Sequence, residues 1–593
     1  MIPNIPYLPY IEITLLVFIT YSYAILKGGA CSDDIQGIEQ YDGTLMYPED
    51  NPPPGQPPKM VRKICYGTLS KWVRNKLCGG NFPSRHHYKL PDGKLGEPIP
   101  SGKVMSHHHF MSVALHAIAC ILLYNFLLTV TTPTVALMTV CLFTVHPTCV
   151  QAVAWPSAIG YILSLICICS SLNISHWIYA NHDLTHIIIG LAGLSFFQIW
   201  GVYAQAIPMF TWVILVLLGQ YETAAVSFVF SGLAASRNLR EYVVHRKEEF
   251  KKQKMESSTS LNFRKPIVAL KTLAYYIYLS ILPIKLGLYH KFGFHYEKKI
   301  ELFEWRALCG LIFLGVSVYF FINSGIEIRL GIVWFIVFLT LFLNWITAQQ
   351  WVTERYLYIP VIGMCLIFSF YAQHSLPIYF LVFGALMCRT MVHMPTYENE
   401  LKFYLSNTWN FSKSEVAFGN LGVAYASTGL GGAANDMWVI SGSLNPDYDV
   451  PHYNIFSRTK TQGMTYIQNG AYEQGIQTLA SSIPMIDKVL SCKVLHFPDV
   501  WRKERDELAA IVNNPVGLLV NELGRLHTLR NSLNNELSQT LDRKRIGEIV
   551  PSVQHADQQI SNLNNYLRSK GITADFNPER ALLSKLYQPR STS

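Results

Sequence analysis

The residues best placed to do chemistry are two adjacent carboxylates, Asp33 and Asp34, in the segment ACSDDIQGIEQYDG. They directly follow an apolar run from Ile11 to Leu26, where a membrane helix would emerge into water. A carboxylate at that depth suits a general base. It can take the proton from an acceptor hydroxyl as a sugar leaves a lipid-borne phosphate resting at the interface. The plainer reading of the pair is a helix cap or a solvated turn. Histidines form the other conspicuous group, at His86-His87 and His107-His108-His109. Adjacent histidines on one helix point in different directions, so such runs chelate poorly without ligands from elsewhere, and neither metal nor other cofactor is expected. Cys31, Cys65 and Cys78 share a polar stretch, which leaves a disulfide among them open. Cys141, Cys149, Cys167 and Cys169 lie in apolar runs, where cysteine is a small hydrophobe, and no Cys/His arrangement has zinc-site spacing.

The elements that must position these residues are membrane helices. Half of the 593 residues are hydrophobic and only 15% are charged, against about a quarter in a soluble protein. Mean hydropathy is +0.21. The apolar excess is confined to the part between Ile11 and Cys388; from Glu398 onward the composition is that of a soluble protein. Apolar runs are centred near residues 18, 120, 140, 166, 193, 218, 277, 315, 338, 365 and 384. The stretch 206–234 admits two readings, because Gln220-Tyr221-Glu222 can divide one long helix or separate two short ones. The segment Arg237–Lys265 carries nine Lys/Arg against four Glu, which marks it as cytoplasmic. Taking 206–234 as one span puts that segment inside and the Gln349–Arg355 segment and the C-terminal region outside. The expectation is therefore eleven spans, N-terminus in and C-terminus out. The first apolar run has no basic n-region and no small-x-small cleavage site, so it reads as a retained helix rather than a signal peptide. The net charge of +9 follows from positive-inside sorting and does not call for a nucleic-acid partner.

This divides the chain into a transmembrane domain (1–392), with a long first outer loop (28–106, including the extended NPPPGQPP) and a basic cytoplasmic loop (235–266), followed by two helical regions. In the first, 393–495, Asn420 in FGNLGVAYASTG and Asn454 in PHYNIFSRTK stand 34 residues apart. That is the tetratricopeptide period, and Gly422 and Ala426 suit close helix packing. In the second, 496–593, Leu519, Leu523, Leu526, Leu529, Leu533 and Leu537 recur at three-four spacing and Pro551 precedes another amphipathic run, which predicts a helical hairpin or short coiled coil.

Four segments, in order, carry a resemblance: HFMSVALHAI (109–118), LFTVHPTCVQAVAW (142–155), YYIYLSILPIKLGLYH (275–290) and VTERYLYIPVIGMCLIF (352–368). Together with Asp33-Asp34 after the first helix, they resemble the transmembrane and tetratricopeptide-repeat O-mannosyltransferases and their bacterial relatives over about residues 10–480. The resemblance implies an all-α, polytopic GT-C-like membrane bundle and transfer of a sugar from a polyprenyl-phosphate donor to a protein Ser/Thr hydroxyl on the outer or lumenal side. The membrane would be the bacterial cytoplasmic membrane or the endoplasmic reticulum. It implies Asp33 or Asp34 as the catalytic carboxylate. Arg355, with Glu354, would meet the donor phosphate, where a guanidinium can clamp it bidentately, and His146 and His109 would lie near the same face. The plainer readings are an interfacial ion pair at Glu354-Arg355 and a structural histidine in the HP turn.

The chain also departs from that pattern. Gln151 stands where the family has Glu after HP, Ala158-Ile159-Gly160-Tyr161 where it has GR, and Gly201-Val202 where it has KE. The rival expectation is an inactive membrane scaffold that docks partner proteins through the repeats. A transporter fits less well, because charges concentrate at helix ends rather than within spans.

Overall fold

The computed structural model describes residues 7–31, 102–252 (except 182 and 206), 265–290 (except 289), 305–343, 352–493, 495, 498–540 and 543–572, with short pieces between 46 and 100. The chain divides into two compact units, one running to Met437 and the other from Trp438 onward.

The first unit is a helical bundle. Its helices are α1 (Leu8–Lys27), α2 (Gly102–Leu127), α3 (Pro133–Val145), α4 (Val150–Ala154), α5 (Ile159–Ala180), α6 (Leu184–Ala204), α7 (Thr211–Leu217), α8 (Tyr221–Lys252), α9 (Lys265–Ile281), α10 (Trp305–Asn323), α11 (Ile326–Leu339), α12 (Val361–Ala372), α13 (Leu376–His393), α14 (Glu400–Asn410) and α15 (Glu415–Ser427). Within 28–106, β1 (Met46–Pro48) pairs antiparallel with β2 (Met60–Arg62), and β3 (Arg85–Lys89) with β4 (Leu95–Pro100). Among the described residues six helices are long and apolar enough to cross a membrane, or seven if α3 and the bent segment after it count as one. Three shorter apolar helices lie at Ile207–Leu217, Pro266–Ile281 and Val361–Ala372, and the expected eleven spans are a finer count than these lengths establish among the described residues. α5 is the central helix, 78% buried over its most apolar window, whereas α10 and α13 are 17% buried and turn apolar faces outward. Leu311, Ile312, Ile322 and Leu381 on those faces are exposed, which water would penalise and lipid does not.

The reading of 206–234 as one span is corrected. α7 stops in a turn at Gly219, φ +75°, where the Gly219 and Gln220 amides close back onto the carbonyls of Val216 and Leu215. A left-handed residue at this position ends a helix, and glycine adopts it without a Cβ clash. α8 then folds back along α7, with Trp212 edge-on to Phe228 at 5.4 Å and Ser231 reaching the carbonyl of Met209. The polar Gln220 and Glu222 meet α5, as partners of Ser175 and Tyr179.

The proline breaks shape the other end. His146 is extended (ψ 126°), as a residue before proline must be, and the chain bends by 57° at Pro147. The bend strips the last carbonyls of α3 of their helical partners. Tyr21 of α1 donates to the Thr144 carbonyl at 3.1 Å and Thr390 of α13 to the Val145 carbonyl at 2.6 Å, so both orphans are satisfied where no water would serve. A second break at Trp155-Pro156 returns the chain to α5.

The expected domain boundary at residue 393 falls inside the first unit: Phe403, Tyr404, Ala417 and Leu421 of α14 and α15 share the bundle's core. After α16 (Gly431–Leu444), which carries the junction, the second unit comprises α17 (Asp449–Gln468), α18 (Tyr472–Leu490), α19 (Pro498–Asn513), α20 (Pro515–Gln539) and α21 (Arg543–Ser569). α15 and α17 begin 34 residues apart (449 − 415), though α17 is 20 residues long and α15 only 13. α17 and α18 are antiparallel, with Gly463 near Leu479 and Ile467 near Gly475. α20 and α21 form a hairpin tied by Arg530–Asp557 and Arg545–Glu536. Leu519, Leu523 and Leu526 are buried in it, while Leu529 already faces outward. Pro551 lies within α21 rather than ahead of it.

Candidate functional site

One end of the bundle gathers the C-terminal ends of α1, α3, α9 and α13 and the starts of α2, α5 and α12. Gly29, two residues past α1, donates its amide to the Tyr397 carbonyl at 3.1 Å and lies 3.3 Å from the His109 ring. The His146 ring spans Thr148 on one nitrogen (2.8 Å) and the Ser280 carbonyl, at the end of α9, on the other (3.0 Å). That pattern fits a neutral ring with its proton on Nε2, donating to Ser280.

The segment between the two proline breaks, residues 147–155, supplies the floor. Gln151 is fully buried and its side-chain oxygen accepts the Arg355 backbone amide at 2.8 Å. Trp155 donates its indole N–H to the Cys31 carbonyl at 3.0 Å, and the Arg355 guanidinium lies 4.9 Å from the centre of the same indole. Tyr356 flanks the guanidinium at 5.3 Å and is itself stacked on Phe342, 4.2 Å away and nearly parallel. A guanidinium beside aromatic rings is a cation of the kind that recognises planar anions such as phosphate or carboxylate.

Glu354, next in the chain, has a different task. It is fully buried in the turn Glu354–Leu357, where its carboxylate accepts from the Gly287 amide and lies 3.3 Å from His393 and 3.5 Å from His290. Burial alone would raise its pKa; the two histidines and their hydrogen bonds outweigh this and hold the carboxyl below its usual value. Gly287 has φ +154°, and a Cβ there would stand 2.6 Å from the Asn407 side-chain oxygen. That position needs glycine.

Of the residues singled out from sequence, the structure brings Arg355, Glu354, His146 and His109 to one end of the bundle. Only Arg355 among them pairs a cation with a half-exposed position. His109 is packed against Gly28 and Gly29, and His146 bonds the Ser280 carbonyl at the bend. Asp33, Asp34, Cys65 and Cys78 lie outside the described residues; the described chain stops at Cys31, on Trp155. Sequence reasoning missed Trp155, His290 and His393 as parts of the site, although each closes a helix or an apolar run, where an isolated aromatic or histidine is a usable signal. It also missed Glu398, whose carboxylate holds the hydroxyl of Tyr23 and the Lys402 ammonium. Those hydrogen bonds, that of Lys402 first, set it below the usual carboxylate range. Among the described residues no group of three or more His, Cys, Asp or Glu is arranged to hold a metal. No protein-family model matches the chain, and no curated protein matches it.

Proposed function

We propose that this protein is a GT-C-type membrane glycosyltransferase, moving a sugar from a polyprenyl-phosphate donor to a protein Ser or Thr hydroxyl at the outer or lumenal face. The observation that carries the reading is Trp155, which binds the chain two residues before Asp33 on its N–H edge and the Arg355 guanidinium on its ring. The transfer requires a carboxylate and a phosphate-binding cation, and the sequence supplies the carboxylates two and three residues after Cys31. Arg355 meets the donor phosphate and stabilises it as it leaves, while Asp33 or Asp34 takes the acceptor's proton. Gln151 holds the Arg355 backbone with an amide oxygen, so the missing family carboxylate still leaves that turn positioned. Glu354 is a positioning residue for the same turn. The helices from Glu400 onward, read as tetratricopeptide-like repeats, present the acceptor.

α9 supports the sidedness independently of any span count. It ends at Ser280, on His146, so its start at Lys265, beside the basic segment, lies at the opposite end of the bundle. The site then faces away from the cytoplasm.

One observation favours the second reading, an inactive scaffold docking partners through its repeats. At Gly201, where the family carries charge, an added Cβ would meet Cys167 at 2.9 Å and Pro208 at 3.0 Å, so the space for a charged side chain is filled. An assay of the purified protein with a panel of polyprenyl-phosphate sugars and Ser/Thr peptides separates the two. Transfer from any donor supports the enzyme, and none from all of them leaves the scaffold.

A further inference from the structure

A second cation lies on a different face of the Glu354 knot. A cavity of about 460 Å³ opens at the end of α13, lined by Arg389, Val392, His393, Thr396, Ser406 and Asn410. Arg389 gives one donor to the Ile284 carbonyl at 2.8 Å, which fixes the guanidinium at the cavity wall. His393, Thr396 and Ser406 form a polar chain, with contacts of 3.4 and 3.3 Å, and the Asn410 amide is anchored on the Leu286 carbonyl at 2.8 Å. The lining itself holds no carboxylate; Glu354 stands behind it on His393 at 3.3 Å, and Arg389 is the arginine of the lining.

Its mouth is apolar. Leu381, Ala385, Cys388 and Val392 follow one another at i, i+4, i+7 and i+11 on α13, and all four are exposed. This stripe runs along a candidate membrane span and ends in the cavity, where Cys388 and Val392 join the lining. A hydrocarbon track leading to a guanidinium, hydroxyls and an amide at helix-end depth matches a phospholipid: acyl chain on the helix, phosphate at the cation. A water-soluble phosphate would use the polar wall and gain nothing from the stripe.

We propose that this cavity binds the headgroup of an anionic glycerophospholipid, resident in the bilayer and not consumed in any reaction. The site is separate from Arg355, which turns onto Trp155, and it stands whether or not the transferase reading holds.

The test uses the full-length protein, delipidated in detergent, with bound lipid counted by native mass spectrometry. Phosphatidylglycerol should bind more tightly than phosphatidylcholine, and glycerol 3-phosphate should not compete at matched concentration. Arg389→Gln should weaken phosphatidylglycerol binding about tenfold, the usual consequence of losing a charge-assisted pair. Should that variant fail to fold, Val392→Asp at a position 73% exposed puts a repelling carboxylate at the mouth and should have the same effect. Arg329→Gln, on a half-buried arginine outside the cavity, should leave binding unchanged. Equal binding of the two lipids, full competition by glycerol 3-phosphate, or equal losses from Arg329→Gln and Arg389→Gln would each overturn the proposal.

Discussion

At Gln151 an amide oxygen does the geometric part of a carboxylate's work, holding the Arg355 turn without its charge. With no carboxylate there, the proposed transferase reading assigns the acid–base role to Asp33 or Asp34. Asp→Asn at the acting one should lower turnover by on the order of a hundredfold, while donor affinity changes little. Steady-state kinetics with saturating donor would show this split; undiminished turnover in both variants would remove the assignment. Glu354 carries a stability prediction instead. Its folded pKa lies below the ordinary 4.5, so the ionised form stabilises the fold above that value, and the contribution is lost as the pH falls through the lower folded value. Glu354→Gln should cost roughly 3 kcal/mol at pH 7, as breaking a buried charged cluster does, and the gap to wild type should narrow as the pH falls below the ordinary carboxylate value. Thermal unfolding of both proteins across pH 3.5–7 checks the sign. A gap that is constant across that range would mean the carboxylate is not ionised in the fold.

The elements follow from local chemistry more fully than the site does. Pro147 was visible as a helix-end turn, yet what it orphans was not. That Tyr21 and Thr390 answer the carbonyls of Thr144 and Val145 is a contact across more than a hundred residues in each case, beyond the reach of periodicity. Thr390→Val keeps the shape and removes the donor, so it should cost about 1–2 kcal/mol; an unchanged midpoint would show that another group takes over the carbonyl. Gly219 misled for a related reason. The run 206–234 is apolar enough for one span, and only the left-handed turn, set by a glycine before a polar pair, folds it into two helices. The pair Asn420/Asn454 pointed to helix starts 34 residues apart, but not to the packing of α14 and α15 into the bundle core, which their soluble composition conceals.

For the molecule as a whole, the basic segment and the site should lie on opposite sides of the membrane. Single cysteines introduced at 258 and at 445, in a background where the native accessible thiols are replaced, should label from opposite faces of sealed vesicles. Labelling of both from one face would reverse the reading of α9. The account rests most heavily on Arg355 as the donor-phosphate site, a claim that can be measured even without turnover. Binding of a sugar-free polyprenyl phosphate to wild type and Arg355→Ala, followed by tryptophan fluorescence with Trp155 beneath the ligand, tests it directly. The account predicts a dissociation constant raised on the order of tenfold or more in the variant. Equal affinity in the two proteins would contradict it.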